Sequence, residues 1–310
     1  MTVTETPKVP STPLEGVLGT GTASGAPEAR PNALRRAWDS FAIIFRSRVA
    51  VIGLAIVLFW VLVAIFAPLI APLDPLKQDS KAILQGPSST YLLGTDKLGR
   101  DILSRLIYGA RTILLLAPIA VLLSVFVGTC LGLTGGYFGG LIDEIVMRIL
   151  DAIMAFPTIL LYLIIISAIG SSAINVVLAI TFVGAPGVAR LVRSLTLDIR
   201  TRDYIRAAET RGENPLYIMF VEILPNARGP LIIDSMLRVG YAIFSIGTLG
   251  FLGLGLPAPT PDWGGMINEA RRYIWTSPLG VLWPALAVSS LVVGLSLFAD
   301  GLREESTRYQ

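Results

Sequence analysis

The chain has 310 residues, of which 53% are hydrophobic and 15% charged, with a net charge of +3 and a mean hydropathy of +0.69. This composition excludes an ordinary soluble domain and indicates an integral membrane protein, long enough for about six spans of roughly 20 residues. The absence of histidine removes the commonest general base and transition-metal ligand, and the single cysteine, Cys130, excludes an intramolecular disulfide.

Residues 1–30, rich in Pro, Thr, Gly, Ala and Ser, hold too little bulky apolar content to bury a core and read as a disordered cytosolic tail. No charged stretch there precedes an apolar one, so the first span is expected to serve as its own insertion signal. Residues 31–105 form the next unit: an interfacial helix opened by Pro31, with Leu34, Trp38, Phe41 and Phe45 at helical spacing, then the first span and an outer loop. Residues 106–310 carry the remaining spans and a charged cytosolic loop at 196–229. Spans are expected at 49–70, 112–134, 145–169, 173–195, 231–256 and 279–299. Cys130 lies inside the second span and reads as a packing residue. Gly128, Gly132, Gly135 and Gly136 suggest close helix contact towards the end of that span, and Gly139 and Gly140 a turn after it. Arg148 and Asp151, three apart in the third span, can pair on one helical face.

Six spans place both termini on one side. The arginines at 35, 36, 46, 48, 190, 193, 200, 202, 206, 211, 228, 303 and 308 make that side cytosolic by the positive-inside tendency. The outer side keeps Lys77, Lys81, Lys97, Arg100, Arg105, Arg111, Arg271 and Arg272, more basic than the rule prefers. In the outer loop, Gly94 and Gly99 have the spacing of a phosphate-binding loop. Arg100 and Asp101 replace the Lys and Ser/Thr such a loop needs, so the glycines read as permitting a tight turn with local pairing among Asp96, Arg100 and Asp101. Asp234 and Arg238, four apart in span five, share a face. Charge inside a span is expensive, so they pair with one another or line or gate a path.

The loop between spans four and five, YIRAAETRGENPLYIMFVEILPNARGP (204–230), has the features of a docking element. Asp203 is expected to cap a short helix through Arg211, Gly212 to break it, Asn214-Pro215 to start a second helix and Leu224-Pro225 to end that one. The order Ala207-Ala208, Gly212 and Leu224-Pro225 resembles the cytoplasmic coupling loop of ATP-binding cassette importer permeases. The segment LLGTDKLGRDILSRLIYGART (92–112), with Gly94, Thr95, Asp96, Gly99, Arg100 and Asp101, is similar to the outer segment of dipeptide and oligopeptide permeases. FLGLGLPAPTPDWGGMI (251–267) and ADGLRE (299–304) resemble the C-type subunit of the same group.

The resemblance covers roughly residues 40–305. It implies an all-α polytopic bundle of the type I importer class and a permease subunit for dipeptides or oligopeptides; nickel complexes and glutathione are the alternatives within the group. Tyr204, Arg206, Ala207, Ala208, Glu209, Gly212, Leu224 and Pro225 would then couple to the ATPase. ATP and magnesium would be bound by two partner ATPase subunits and not by this chain. The other partners are a second, B-type permease, an extracytoplasmic substrate-binding protein and the bilayer, with no nucleic acid. No catalytic residue or metal site is expected. Two positions depart from the family pattern: Arg206 stands where a Glu is usual, and Ile246 where relatives often carry Glu. From the residues alone, an ion-driven secondary transporter is the rival class. It lacks support in the form of midplane charges arranged with paired repeats.

Overall fold

A computed structural model describes residues 47–308, with side chains to Glu304. The expected tail at 1–30 and interfacial helix from Pro31 lie outside the described residues. Within them the chain is helical, with one isolated bridge between Thr95 and Asp101 and no strand.

Helix α1 (Arg48–Ile65) is started by Ser47, whose hydroxyl oxygen accepts the Ala50 N–H at 3.3 Å, and is followed by the short α2 (Ala67–Ile70). A compact loop leads to α3 (Ile102–Phe138), 37 residues and about 55 Å long. It begins ten residues before the span expected at 112–134. Asp101 supplies the cap, accepting the Ser104 N–H at 2.8 Å and the Ser104 hydroxyl at 2.6 Å. The charged Arg105, which argues against an early start in the sequence, is buried and ion-paired.

The span expected at 145–169 is not one helix. It divides into α4 (Gly140–Met154) and α5 (Thr158–Ile169), which meet at 90°. Pro157 lacks a backbone N–H and disfavours helical geometry at Phe156, so the ladder ends there and restarts. The expected Arg148–Asp151 pair does not form either: Arg148 bonds Glu144 at 2.6 Å, while Asp151 reaches Arg190 at 2.5 Å. A cross-helix partner is better placed than the i+3 neighbour.

Helix α6 (Ala173–Arg200) is capped by Ser172 and runs parallel to α3. The contact is so close that a Cβ on Gly128, Gly132 or Gly136 would lie 2.5–2.7 Å from Ala185 and Val188, from Ala189, or from Thr196 respectively. These glycines let two backbones meet, as expected for small residues between membrane helices. After α7 (Asp203–Thr210) comes α8 (Pro215–Phe251), which includes a π-helical turn at Ile218–Ile223. Then follow α9 (Trp263–Ala270) and α10 (Leu279–Arg308).

Helices α1, α3, α6, α8 and α10 are long and apolar enough to cross a membrane, and α4 with α5 makes a sixth, broken candidate. Ala50 meets Gly301, and Trp60 donates its indole N–H to Ser290 Oγ at 3.0 Å. Helices α1 and α10 are therefore antiparallel, with the start of α1 and the end of α10 at one end of the bundle. The same end holds the last turns of α3 and α6, all of α7 and the start of α8. The other end holds the 94–105 loop and α9, pinned by the fully buried Trp263. Its indole N–H donates to Leu106 O at 2.8 Å, and its ring lies edge-on to Trp60.

Candidate functional site

Three groups of residues carry chemistry, one at each end of the bundle and one between.

At the first end, α7 sits on a small apolar cluster. Ile205 and Ala208 are fully buried against the cluster formed by Leu133, Val192, Ile218 and Ile223. Three apart, they define its inner stripe. Tyr204, Arg206, Ala207 and Glu209 are exposed. The face continues along the exposed Leu216, Tyr217, Phe220 and Val221 of α8. Arg202, not Asp203, occupies the cap position, and Asp203 is the first helical residue, where its charge suits the helix dipole. Glu209 lies beside Tyr137 of α3, whose ring also receives the Arg200 guanidinium at 5.6 Å. Arg206 has no ion-pair partner among the described residues. Gly212 has φ +77° and open space around it, so its requirement is backbone conformation and not room. Asn214 Oδ1 accepts the Leu216 N–H at 2.9 Å and starts α8 as expected.

Leu224 and Pro225 do not end a helix. The Leu224 N–H bonds five residues back, to Met219 O, and α8 continues through Pro225 without a stop. The wider π turn changes the hydrogen-bond register just before the residue that lacks an N–H, so the proline is absorbed.

At the opposite end, Arg100 Nε bonds Asp96 at 2.7 Å and Arg100 Nη2 bonds Glu269 at 2.6 Å. Arg105 Nη1 contacts both acids, reaching Glu269 at 3.1 Å. The two arginines are 3% and 4% exposed. Asp101 caps α3 and does not join the pairing. Thr95 donates to Ala82 O and accepts from the Gln85 N–H at 2.9 Å. Gly94 and Gly99, at φ +82° and +72°, pass so close to Gln85 O and Asp79 O that a Cβ would clash at 2.6 and 1.9 Å. The segment is thus a buried clasp between the loop and α9. Asp262 caps α9, accepting from the Gly265 N–H at 2.9 Å, and burial pushes its carboxyl up to about 6. Glu269 escaped the sequence reading because it stands more than 160 residues from its partners, a separation that no local pattern encodes.

Between the ends, Asp234 and Arg238 pair at 2.5 Å, and Arg238 Nη1 donates to Gly184 O of α6 at 3.3 Å. Arg238 borders a cavity of about 420 Å³ between α5, α6 and α8, with Tyr162, Tyr241 and Ser245 also in its wall. These last three went unread, although Asp234, Arg238, Tyr241 and Ser245 repeat at helical spacing.

Over residues 128–304 the chain matches the family described as binding-protein-dependent transport system inner membrane component. It belongs to that family. Residues 33–87 further match the N-terminal TM domain of oligopeptide transport permease C. A dipeptide transport system permease protein of Haemophilus influenzae is 42% identical over 265 residues, 84% of this chain and 90% of the relative. A di/tripeptide transport system permease protein of Pseudomonas aeruginosa is 40% identical over 280 residues, 88% and 91% of the two chains. A glutathione transport system permease protein of Pectobacterium atrosepticum is 39% identical over 280 residues, 90% and 93%. This inner membrane component is accordingly a multi-pass, non-catalytic permease subunit that works with other subunits of an ATP-binding cassette importer in a bacterial cytoplasmic membrane. Membership removes the secondary-transporter reading.

Proposed function

We propose that this permease imports short peptides, forming half of a path completed by a B-type permease. Two ATPase subunits, which bind ATP and magnesium, drive it, and an extracytoplasmic binding protein delivers the substrate. The observation that carries the coupling part is α7: a helix anchored by two buried residues, with its outer face exposed at the end of the bundle. Tyr204, Arg206, Ala207 and Glu209 supply that face, and Gly212 turns the chain back into α8. Nucleotide-driven movement of the ATPases would press on α7. Because α7 rests on the last turns of α3 and α6 and on the π turn of α8, the displacement would move the bundle and not the loop alone. ATP shifts the inward and outward populations only through its differential affinity for the two states of the assembly.

The end bearing α7 is cytosolic in this reading. Support comes from its arginine majority. The peptide substrate is supported by relatives named for dipeptides, di/tripeptides and glutathione, itself a peptide.

The test is uptake of labelled dialanine by proteoliposomes holding all the subunits and the binding protein. Uptake is expected only with ATP and the binding protein. Uptake that persists without nucleotide, or no peptide uptake at all, contradicts the reading.

A further inference from the structure

Asp234, Arg238, Tyr241 and Ser245 follow one another along α8 at spacings of four, three and four, which puts them on one stripe. The last three line the 420 Å³ cavity, within the size range of small-molecule sites. Arg238 lies inside the span expected at 231–256, where an ionic pair is expensive and two apolar residues would serve packing as well. Room for its head is made by α6: a Cβ at Gly187 would lie 3.0 Å from both terminal guanidinium nitrogens. Neither charge is sealed in, since Arg238 is 22% and Asp234 29% exposed. Arg238 uses Nε on Asp234 and Nη1 on Gly184 O. Nη2 of Arg238 and Oδ1 of Asp234 have no partner among the described residues.

We propose that this pair is a transit site for the two charged ends of a short peptide, with the carboxylate on Arg238 and the ammonium on Asp234. The free Arg238 Nη2 donates a charge-assisted hydrogen bond to a carboxylate oxygen, and the free Asp234 Oδ1 accepts from an ammonium. The two charged groups meet at 2.5 Å, and a two-residue extended backbone spans at most about 7 Å, long enough for its ends to reach the free atoms on the two sides of that contact. One dipeptide therefore reaches both charges while α8 stays in place. The hydroxyls of Tyr241 and Ser245 add hydrogen-bond partners that do not select among side chains. When empty, the pair neutralises itself and presents no net charge to hold an ion in the path.

This site rests on the peptide-import reading, and the test separates the two. The complete complex in nanodiscs, without binding protein, is titrated with labelled dialanine and with N-acetyl-dialanine amide, whose ends are blocked. Uptake of dialanine is measured in parallel in proteoliposomes. Wild type is expected to bind dialanine at least tenfold more tightly than the blocked peptide. In Arg238→Gln and Asp234→Asn that preference falls below about twofold and uptake drops about tenfold, while Arg238→Lys keeps an intermediate preference. Subunit copurification shows that each variant assembles, and Gly187→Ala, which crowds the guanidinium without removing charge, provides a second route to the same loss. Uptake by wild type with an unchanged end preference in all variants overturns the transit site and leaves peptide import standing. Absence of peptide uptake by wild type overturns both.

Discussion

Arg105 shows how a charge in a predicted span can be structural. Its side chain is 4% exposed and touches both Asp96 and Glu269, so truncation leaves two carboxylates facing each other with only Arg100 to balance them. Breaking a buried pair of this kind costs about 3–5 kcal/mol. Arg105→Ala is expected to lower the midpoint of thermal unfolding of the purified complex strongly, and an unchanged midpoint would show that the clasp contributes no stability. Asp262 gives a pH signature at the same end. Its carboxyl, raised to about 6 from an unfolded value of 3.8, stabilises the folded chain fully below pH of about 4, and that contribution is lost as pH rises through about 6. The difference is about 3 kcal/mol between acid and neutral pH. Unfolding of wild type, followed by tryptophan fluorescence, should show this slope between pH 4 and 6, and Asp262→Asn should lack it. The clasp's glycines and the Asp96–Arg100 pair were legible in the sequence because they are local. Glu269 and the use of Asp101 as a cap were not, since one contact spans the whole fold and the other depends on where α3 begins.

Helix α6 followed its apolar run from Ala173 straight through Pro186, while α1 stopped at Ile65 short of the expected span end and other runs departed where proline or charge met tertiary context. Pro157 broke a span that hydropathy had joined, whereas Pro225 was passed over because a π turn precedes it. The same residue type gave opposite outcomes, so hydropathy and proline position alone could not decide either. The α3–α6 contact makes a sharper test. A Cβ on Gly132 would stand 2.5 Å from Ala189 O, a backbone atom that cannot swing aside. Gly132→Ala is expected to destabilise by about 1–3 kcal/mol through overpacking. Gly240, within α8, meets only Leu295 Cβ at 3.9 Å, an ordinary contact, so Gly240→Ala should instead stabilise by up to about 1 kcal/mol. Denaturant unfolding of the two variants in the same detergent compares them directly. Equal effects would mean the interface is looser than described.

For the whole molecule, the bundle of five apolar spans with a sixth, broken candidate and the exposed α7 were readable because membrane length and a charged, glycine-broken loop leave strong traces in composition. Tertiary placement supplied the rest. It put Ile205 and Ala208 under α7 and brought the last turns of α3 and α6 together with the π turn of α8 beneath one small helix. That convergence is why a force applied at α7 should reach the membrane-spanning helices, and Arg206, exposed on the outer face of α7, shapes the surface without taking part in the support. Ala207 probes the surface alone, being exposed between the two buried anchors. The most direct measurement is ATP hydrolysis and dialanine uptake, recorded in the same proteoliposomes, for wild type and Ala207→Arg. Docking through α7 predicts that the variant assembles its two permease subunits yet loses uptake at least tenfold, with hydrolysis no longer stimulated by the loaded binding protein. Wild-type uptake and stimulation in Ala207→Arg would contradict it.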